Sequence, residues 1–299
     1  MIEAVGITKY FENFKALNNL NCKIPDSCIY GLVGSNGAGK STFLRLISGV
    51  YKPDEGTILM DGQPVYENPD VKKNILYVTD DLYFLPQSNM KRMADFYHAI
   101  YENFSYEKFN ELTETFKLDP GKNFNTFSKG MRRQAATILA LAAKPRYLFF
   151  DETFDGLDPV MRNLVKRCIY SDVLDRKTTT IITSHSLREL EDVCDQLAML
   201  HKGGIVFESD IQDLKTSLFK VQIAFGDPFD QNKFPDIEMV NYSQKGSVAN
   251  IIVRGDRDAI KAKLRLMNPL VLDILPLTLE EVFIYEMEAL GYAFKDMID

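Results

Sequence analysis

The chain has little of what would place it within a membrane, outside the cell or on nucleic acid. No apolar run reaches the ~20 residues that span a bilayer, and the longest candidate, Ala135 to Ala143, is interrupted by Lys144-Pro145-Arg146. The opening Met1-Ile2-Glu3-Ala4 lacks the basic and then apolar order of a secretory signal, so a secreted protein is not expected. Cysteine is scarce and scattered. Cys22, Cys28, Cys168 and Cys194 have no metal-type pairing, which predicts reduced, mostly buried thiols in a cytosolic protein. Positive charge is in deficit, with 35 Lys and Arg against 42 Asp and Glu and a net charge of −7. A general nucleic-acid binder needs a basic face, so direct nucleic-acid binding is not expected. The long heptad run of a coiled coil is absent as well.

What is present is an ordinary globular composition, 45% hydrophobic and 26% charged over 299 residues, enough for one large domain or two. The most informative stretch is residues 34–42, GSNGAGKST, which fits the phosphate-loop pattern G-x-x-x-x-G-K-[ST]. The apolar run Cys28-Ile29-Tyr30-Gly31-Leu32-Val33 before it predicts a buried strand, and Phe43-Leu44-Arg45-Leu46-Ile47 after it has helical spacing. In such a setting Gly34, Gly37 and Gly39 let successive N–H groups turn inward on a phosphate, and the helix N-terminus adds partial positive charge. Lys40 brings a full charge to the β- and γ-phosphates, and the Ser41 hydroxyl is placed to ligate Mg²⁺. The competing reading is a chance glycine-rich turn.

Around this loop, residues 1–33 read as two or three antiparallel strands, with the aromatic pair Tyr10-Phe11 either packed on a small sheet or forming a platform for an adenine ring. Residues 51–81 read as strands with an Asp61-Gly62 turn. From Pro86 to Lys117 the periodicity is helical. Met90, Met93, Phe96, Tyr97, Ile100 and Tyr101 form one stripe, and Phe109, Leu112 and Phe116 another, both expected to be core. Ser128 and Gly130 open a helix that starts near Arg132; this is either an N-cap alone or an anion site. Tyr147-Leu148-Phe149-Phe150 is an apolar strand ending in Asp151-Glu152, carboxylates expected to project into a metal shell and a hydrolytic site. A tight turn, Asp155 to Pro159, leads into a helix from Val160 to Tyr170, and the strand Thr178 to Thr183 ends at Ser184-His185.

Taken in this order, the glycine loop, serine-glycine helix start, Asp-Glu strand end, Leu-Asp turn and histidine resemble the ATPase subunits of ABC transporters over roughly residues 1–215. The resemblance implies an α/β P-loop NTPase fold with an antiparallel β subdomain, a helical subdomain at about 86–146 and a small α+β accessory region at 216–299. Carried over by position, Gly34, Ser35, Asn36, Gly37, Ala38, Gly39, Lys40, Ser41 and Thr42 form the Walker A loop, and Phe11 is the adenine-stacking aromatic. Ser128 and Gly130 lie in the signature, Asp158 in the D-loop, and Asp151 at the Walker B position holding Mg²⁺. Glu152 is the catalytic glutamate and His185 the switch histidine. The implied cofactors are ATP and Mg²⁺. The implied partners are a membrane-spanning permease subunit and a second ATPase subunit, identical or not, at the cytoplasmic face of the membrane.

Three departures bear on the mechanism. Asp80 stands where the family has a glutamine that touches Mg²⁺ and senses the membrane partner, and being shorter it is expected to reach the metal through water. The signature reads Phe127-Ser128-Lys129-Gly130-Met131 in place of LSGGQ, a version similar to those of bacterial exporters of antibiotics and lipids. Thr153-Phe154-Asp155 stands where Pro-Thr-Ser is common. The resemblance implies ATP-driven transport, with export of a drug, antibiotic or lipid expected. The alternatives are a soluble relative acting on ribosomes or DNA, and a non-hydrolysing partner in a heterodimer. Beyond residue 216, Lys220 to Phe225 and Val248 to Val253 read as strands, Asp256 to Met267 as an amphipathic helix, and Leu277 to Leu290 as a last helix that Thr278 would cap.

Overall fold

The computed structural model describes residues 1–289 and Gly291, and the last residue of the expected terminal helix, Leu290, lies outside the described residues. The chain divides into two compact units, one ending at Glu208 and the other beginning at Ser209. In the first, β1 (Ile2–Phe11) and β2 (Phe14–Ile24) are followed by β3 (Ile29–Val33), α1 (Lys40–Ile47), β4 (Glu55–Met60), β5 (Gln63–Pro64), α2 (Pro69–Lys72) and β6 (Ile75–Val78). Three helices, α3 (Met90–Ile100), α4 (Tyr106–Thr115) and α5 (Lys129–Ala142), precede β7 (Tyr147–Phe150), α6 (Pro159–Arg176), β8 (Thr179–Ser184), α7 (Leu187–Leu190), β9 (Gln196–His201) and β10 (Gly204–Asp210).

These strands make two sheets. The smaller has the order β2-β1-β4-β5, and its pairs are antiparallel. The larger has the order β10-β9-β3-β8-β7-β6, parallel from β9 to β6. Burial explains the difference in sequence texture. All residues of β3, β7 and β8 are buried, so those strands read as continuous apolar or threonine runs, whereas β1 and β2 alternate. Of the strands expected to be antiparallel within residues 1–33, β1 and β2 pair with each other, and β3 belongs to the parallel sheet. One apolar cluster draws on both sheets and on α1, joining Ile7 and Leu20 to Phe43, Leu44, Phe149 and Leu200.

Parallel pairing sets where chemistry can happen. Val33 is opposite Ser184, Val78 opposite Phe150, and Phe150 opposite Ile182, so β3, β6, β7 and β8 all end at one edge. That edge carries Gly34, Thr79-Asp80, Asp151-Glu152 and His185, and ligands of open α/β sheets bind outside strand C-termini. The helical stretch is less uniform than its periodicity predicts. Met90 and Met93 are buried, but Phe96 (44% exposed) and Ile100 (51%) face outward, so one face of α3 is apolar without being core. Helix α6 continues past Tyr170 to Arg176 because its apolar positions Ile169 and Val173 stay buried.

The second unit contains α8 (Ile211–Ser217), β11 (Leu218–Ala224), β12 (Met239–Lys245), β13 (Val248–Arg254), α9 (Arg257–Arg265), β14 (Val271–Pro276) and α10 (Leu279–Ala289). Its four strands form one antiparallel sheet, β12-β13-β11-β14, with a core of its own that includes Val221, Ile223, Ile251, Val253 and Leu264. Asp256 is the cap of α9, accepting from Ala259 N–H, and lies outside the helix proper. Thr278 does cap the last helix: its hydroxyl accepts from Glu281 N–H at 3.2 Å while the Glu281 carboxylate accepts from Thr278 N–H at 2.8 Å.

The four cysteines are free, and three are buried. Burial pushes the Cys22 and Cys28 thiols up to about 12 and the Cys194 thiol higher still, and only the thiolate is a good nucleophile. Iodoacetamide at about pH 8 is therefore expected to modify the folded protein at Cys168 at most, and all four cysteines after denaturation. Intact-mass spectrometry reads the adduct count, and two or more adducts on the folded chain would contradict this packing.

Candidate nucleotide site

The phosphate loop leaves β3 at Val33 and enters α1 at Lys40, and two of its glycines are demanded by contact. A Cβ on Gly34 would lie 2.4 Å from the Leu200 carbonyl oxygen. One on Gly39, whose φ is +111°, would meet Leu17 Cδ2 at 2.7 Å and the Ala16 carbonyl at 2.8 Å. No side chain therefore fits at the turn into α1, whose exposed N–H groups receive no side-chain cap from the Gly39 position.

A cavity of about 270 Å³ opens over this loop. Ser35, Asn36, Gly37, Gly39, Lys40, Ser41 and Thr42 line it, together with Phe11, Phe14, Ala16, Asp80 and Glu152. Gly34 and Ala38 lie behind the lining and are buried. Phe11 is 39% exposed and meets Tyr51 edge-on at 5.5 Å between ring centroids, so it is a half-open platform at the cavity rim and not a core residue of the small sheet. Phe14, 63% exposed, is a second aromatic at the same rim that sequence reasoning did not single out.

Lys40 is the charge at the centre of the cavity floor. Only 6% exposed, its ammonium donates to the Gly34 carbonyl at 2.7 Å and the Ser35 carbonyl at 3.2 Å, and it lies 3.2 Å from Glu152 Oε1. The other Glu152 oxygen is 3.0 Å from His185 Nδ1. Strand ends β3, β7 and β8 thus deliver Lys40, Glu152 and His185 to one point. Glu152 has φ of +48°, the left-handed region that costs a non-glycine residue about 1 kcal/mol or more. Its N–H donates to Thr183 Oγ1 at 3.0 Å, which holds it there.

Behind Glu152, Asp151 is almost fully buried. Its Oδ1 accepts from the Thr183 hydroxyl at 2.6 Å and its Oδ2 from the Tyr77 hydroxyl at 2.9 Å. Burial, reinforced by the Asp151 charge, holds the Tyr77 phenol well above its ordinary range, so it stays protonated and donates. Thr183 and Tyr77 both sit in stretches legible in sequence only as strand, and nothing in a single sequence marks which strand residues touch the carboxylate.

Asp80 lines the cavity, and its carboxylate is ion-paired with the guanidinium of Arg133 on α5. Arg133 was legible only as part of a helix. It stands among Ala135, Ala136, Ile138 and Leu139 on a helix buried nearly all round, and that setting is the one sequence signal for a buried cation.

The remaining expected residues lie outside this cavity within the single chain. Ser128 is the N-cap of α5, accepting from Met131 N–H at 3.2 Å, and is exposed. Gly130 packs on the turn that follows Glu152: a Cβ there would be 2.9 Å from the Gly156 carbonyl. Lys129 spans the same contact, 2.6 Å from Asp155, whose carboxyl it holds below the usual range. Asp158 caps α6, accepting from Val160 and Met161 N–H at 2.9 and 3.0 Å.

Known proteins resemble this chain at both levels. The family model for ABC transporters matches residues 17–155. An ABC transporter ATP-binding protein of Bacillus subtilis, YtrB, is 32% identical over 95% of this chain and 97% of its own length. The daunorubicin/doxorubicin resistance ATP-binding protein DrrA of Streptomyces peucetius is 30% identical over 73% of this chain and 67% of its own. In fold, the dimeric ATP-binding cassette MJ0796, solved in a post-hydrolysis state with ADP and Pi, superposes with a TM-score of 0.64 at 21% identity, covering 71% of this chain and 99% of that one. With a glycine loop on a buried lysine facing the Asp-Glu end of a parallel strand, and with a relative that is similar along nearly the whole sequence, the chain belongs to the ABC transporter family as one of its ATP-hydrolysing, ATP-binding subunits.

Proposed function

We propose that this subunit drives a separate membrane-spanning permease from the cytoplasmic face of the membrane by closing and opening a dimer around ATP, and that the cargo is exported. The observation that carries the reading is Glu152, held between Lys40 and His185 at the mouth of the phosphate-loop cavity. Phe11 offers the adenine a ring to stack on. Backbone N–H groups from Ser35 to Ser41 take the phosphates, and Lys40 exchanges its two carbonyl partners for phosphate oxygens. That exchange loosens the tie between Lys40 and Glu152, leaving the carboxylate to orient and deprotonate the attacking water while His185 steadies it.

The donor set suits a metal that arrives with the nucleotide. Among the described residues no group of three His, Cys, Asp or Glu side chains is arranged to hold one alone. Both Asp151 oxygens already accept hydroxyl hydrogen bonds. Mg²⁺ retains several waters and takes one or two protein oxygens beside phosphate, so the Ser41 hydroxyl would be its direct ligand and Asp151 would act through water. When bound it neutralises charge on the β- and γ-phosphates.

Ser128 and Gly130 have no part in their own chain's cavity, and this motivates the sandwich. A second copy, or a similar subunit, presents its Ser128 hydroxyl and the first N–H groups of its α5 to the γ-phosphate, with Asp158 at the same boundary. Loss of that phosphate removes the contacts, and the difference in affinity between the two states is what opens the dimer. Among the described residues no helix is long and apolar enough to cross a membrane. The export direction is our own reading, supported by one relative named for daunorubicin/doxorubicin resistance, DrrA, and another named for bacitracin transport, BcrA of Bacillus licheniformis.

Two experiments test this. Glu152→Gln is expected to keep ATP binding, to lower turnover by roughly 10²–10⁴-fold, and to accumulate an ATP-bound dimer by size-exclusion chromatography with light scattering; turnover equal to wild type removes Glu152 as the base. Expression with the neighbouring genes and mild detergent extraction is expected to co-purify an integral membrane protein in fixed stoichiometry. Its absence alongside steady ATP turnover moves the chain to the soluble branch of its family, and turnover by itself excludes a non-hydrolysing role.

A further inference from the structure

Arg133 has the largest of the fully buried side chains, 1% exposed, and it is a cation. A charge in that position needs a counter-charge and filled donors. It finds a counter-charge and one further acceptor on two successive residues of the loop after β6: one terminal nitrogen donates to the Thr79 carbonyl at 3.3 Å, and the other is ion-paired with the Asp80 carboxylate. Its Nε has no partner. The guanidinium therefore grips both the backbone and the side chain of this loop, which a lysine cannot do because it lacks the planar fork. The loop is a wall of the nucleotide cavity, since Asp80 lines that cavity with Lys40, Ser41 and Glu152.

Arg133 is also part of α5, about one and a half turns after the Ser128 cap. We propose that Arg133 is a positioning residue that fastens the Asp80 wall of this chain's own phosphate cavity to the helix whose Ser128 end serves the second copy's ATP. A 14-residue helix with ten buried positions moves as a unit, so displacement of Asp80 by an arriving nucleotide shifts Ser128, and seating of Ser128 on the partner's nucleotide fixes Asp80. The two ATP sites of the sandwich are thereby linked through one ion pair. The inference rests on the ATP-sandwich reading above and adds to it the residue that connects the halves.

The test compares the full-length wild type with Asp80→Asn, Arg133→Lys and the double variant Asp80→Asn/Arg133→Gln, measuring ATP affinity by calorimetry, turnover, and Tm. Each variant is expected to bind ATP within about threefold of wild type, because Lys40 and the loop amides are untouched, and to turn over roughly ten- to a hundredfold more slowly, the scale of a misplaced group in an active site. Arg133→Lys, which keeps the buried charge, is expected at the mild end. The double variant leaves no unpaired charge and is expected to recover the Tm lost in Asp80→Asn without recovering turnover. Wild-type turnover in the double variant makes the pair merely structural and overturns the proposal, as does wild-type turnover in Arg133→Lys. A wild-type protein without ATP turnover defeats the sandwich reading itself, so the two failures are distinguishable.

Discussion

A lysine that is 6% exposed has to be compensated wherever it sits, and the nucleotide site is built around that requirement for Lys40. Two carbonyl oxygens of its own loop and the carboxylate of Glu152 supply the compensation. Those partners fix the curvature of residues 34–40, because the loop must bend until its carbonyls reach the ammonium, and Gly34 and Gly39 have no room for a Cβ at that curvature. The same demand draws Glu152 into a left-handed backbone conformation that Thr183 holds with a hydrogen bond. Removing one partner from a buried charge pair of this kind costs about 3–5 kcal/mol, so a polyanion that offers Lys40 better partners enters with a large differential.

Threonine and tyrosine hydroxyls carry the next layer of order. Thr183 donates to Asp151 and accepts from Glu152 N–H, so one side chain on β8 sets both carboxylates at the end of β7. Tyr77 on β6 closes the ring from the other side. Three adjacent parallel strands thus share one polar cluster at their C-terminal ends. The chemistry depends on strand register as much as on residue type, because a shift of one residue would turn Thr183 to the opposite face.

A second set of contacts ties the start of α5 to the turn after β7. Gly130 lies against the Gly156 carbonyl, and Lys129 is paired with Asp155. Lys129 and Asp155, both read in sequence as departures from the family pattern, are thus partners in space. Arg133 and Asp80 form another such pair. In both cases a substitution that looks isolated in the sequence is answered by an opposite charge on a different element.

How much was legible in the sequence follows from the same physics. Loop, strand and cap signals are local: GSNGAGKST is intelligible without its surroundings because the backbone angles and helix dipole it exploits are intrinsic to those nine residues, and Thr278 with Glu281 caps α10 within four residues. Apolar runs announced β3, β7 and β8 because a strand buried on both faces has no polar alternation to obscure it. The outward turn of Phe96 and Ile100 was not legible, since helical periodicity marks an apolar stripe without saying what covers it. Nor were the partners of Asp80 and Asp151, which lie 53 and 74 positions away at Arg133 and Tyr77. The sequence by itself determined the phosphate loop, the order of the motifs and the class of fold, because each rests on short-range geometry. Only the tertiary structure decided which charge answers which, because ion pairs and hydroxyl networks are chosen by distance in space, and strand register and helix packing set that distance.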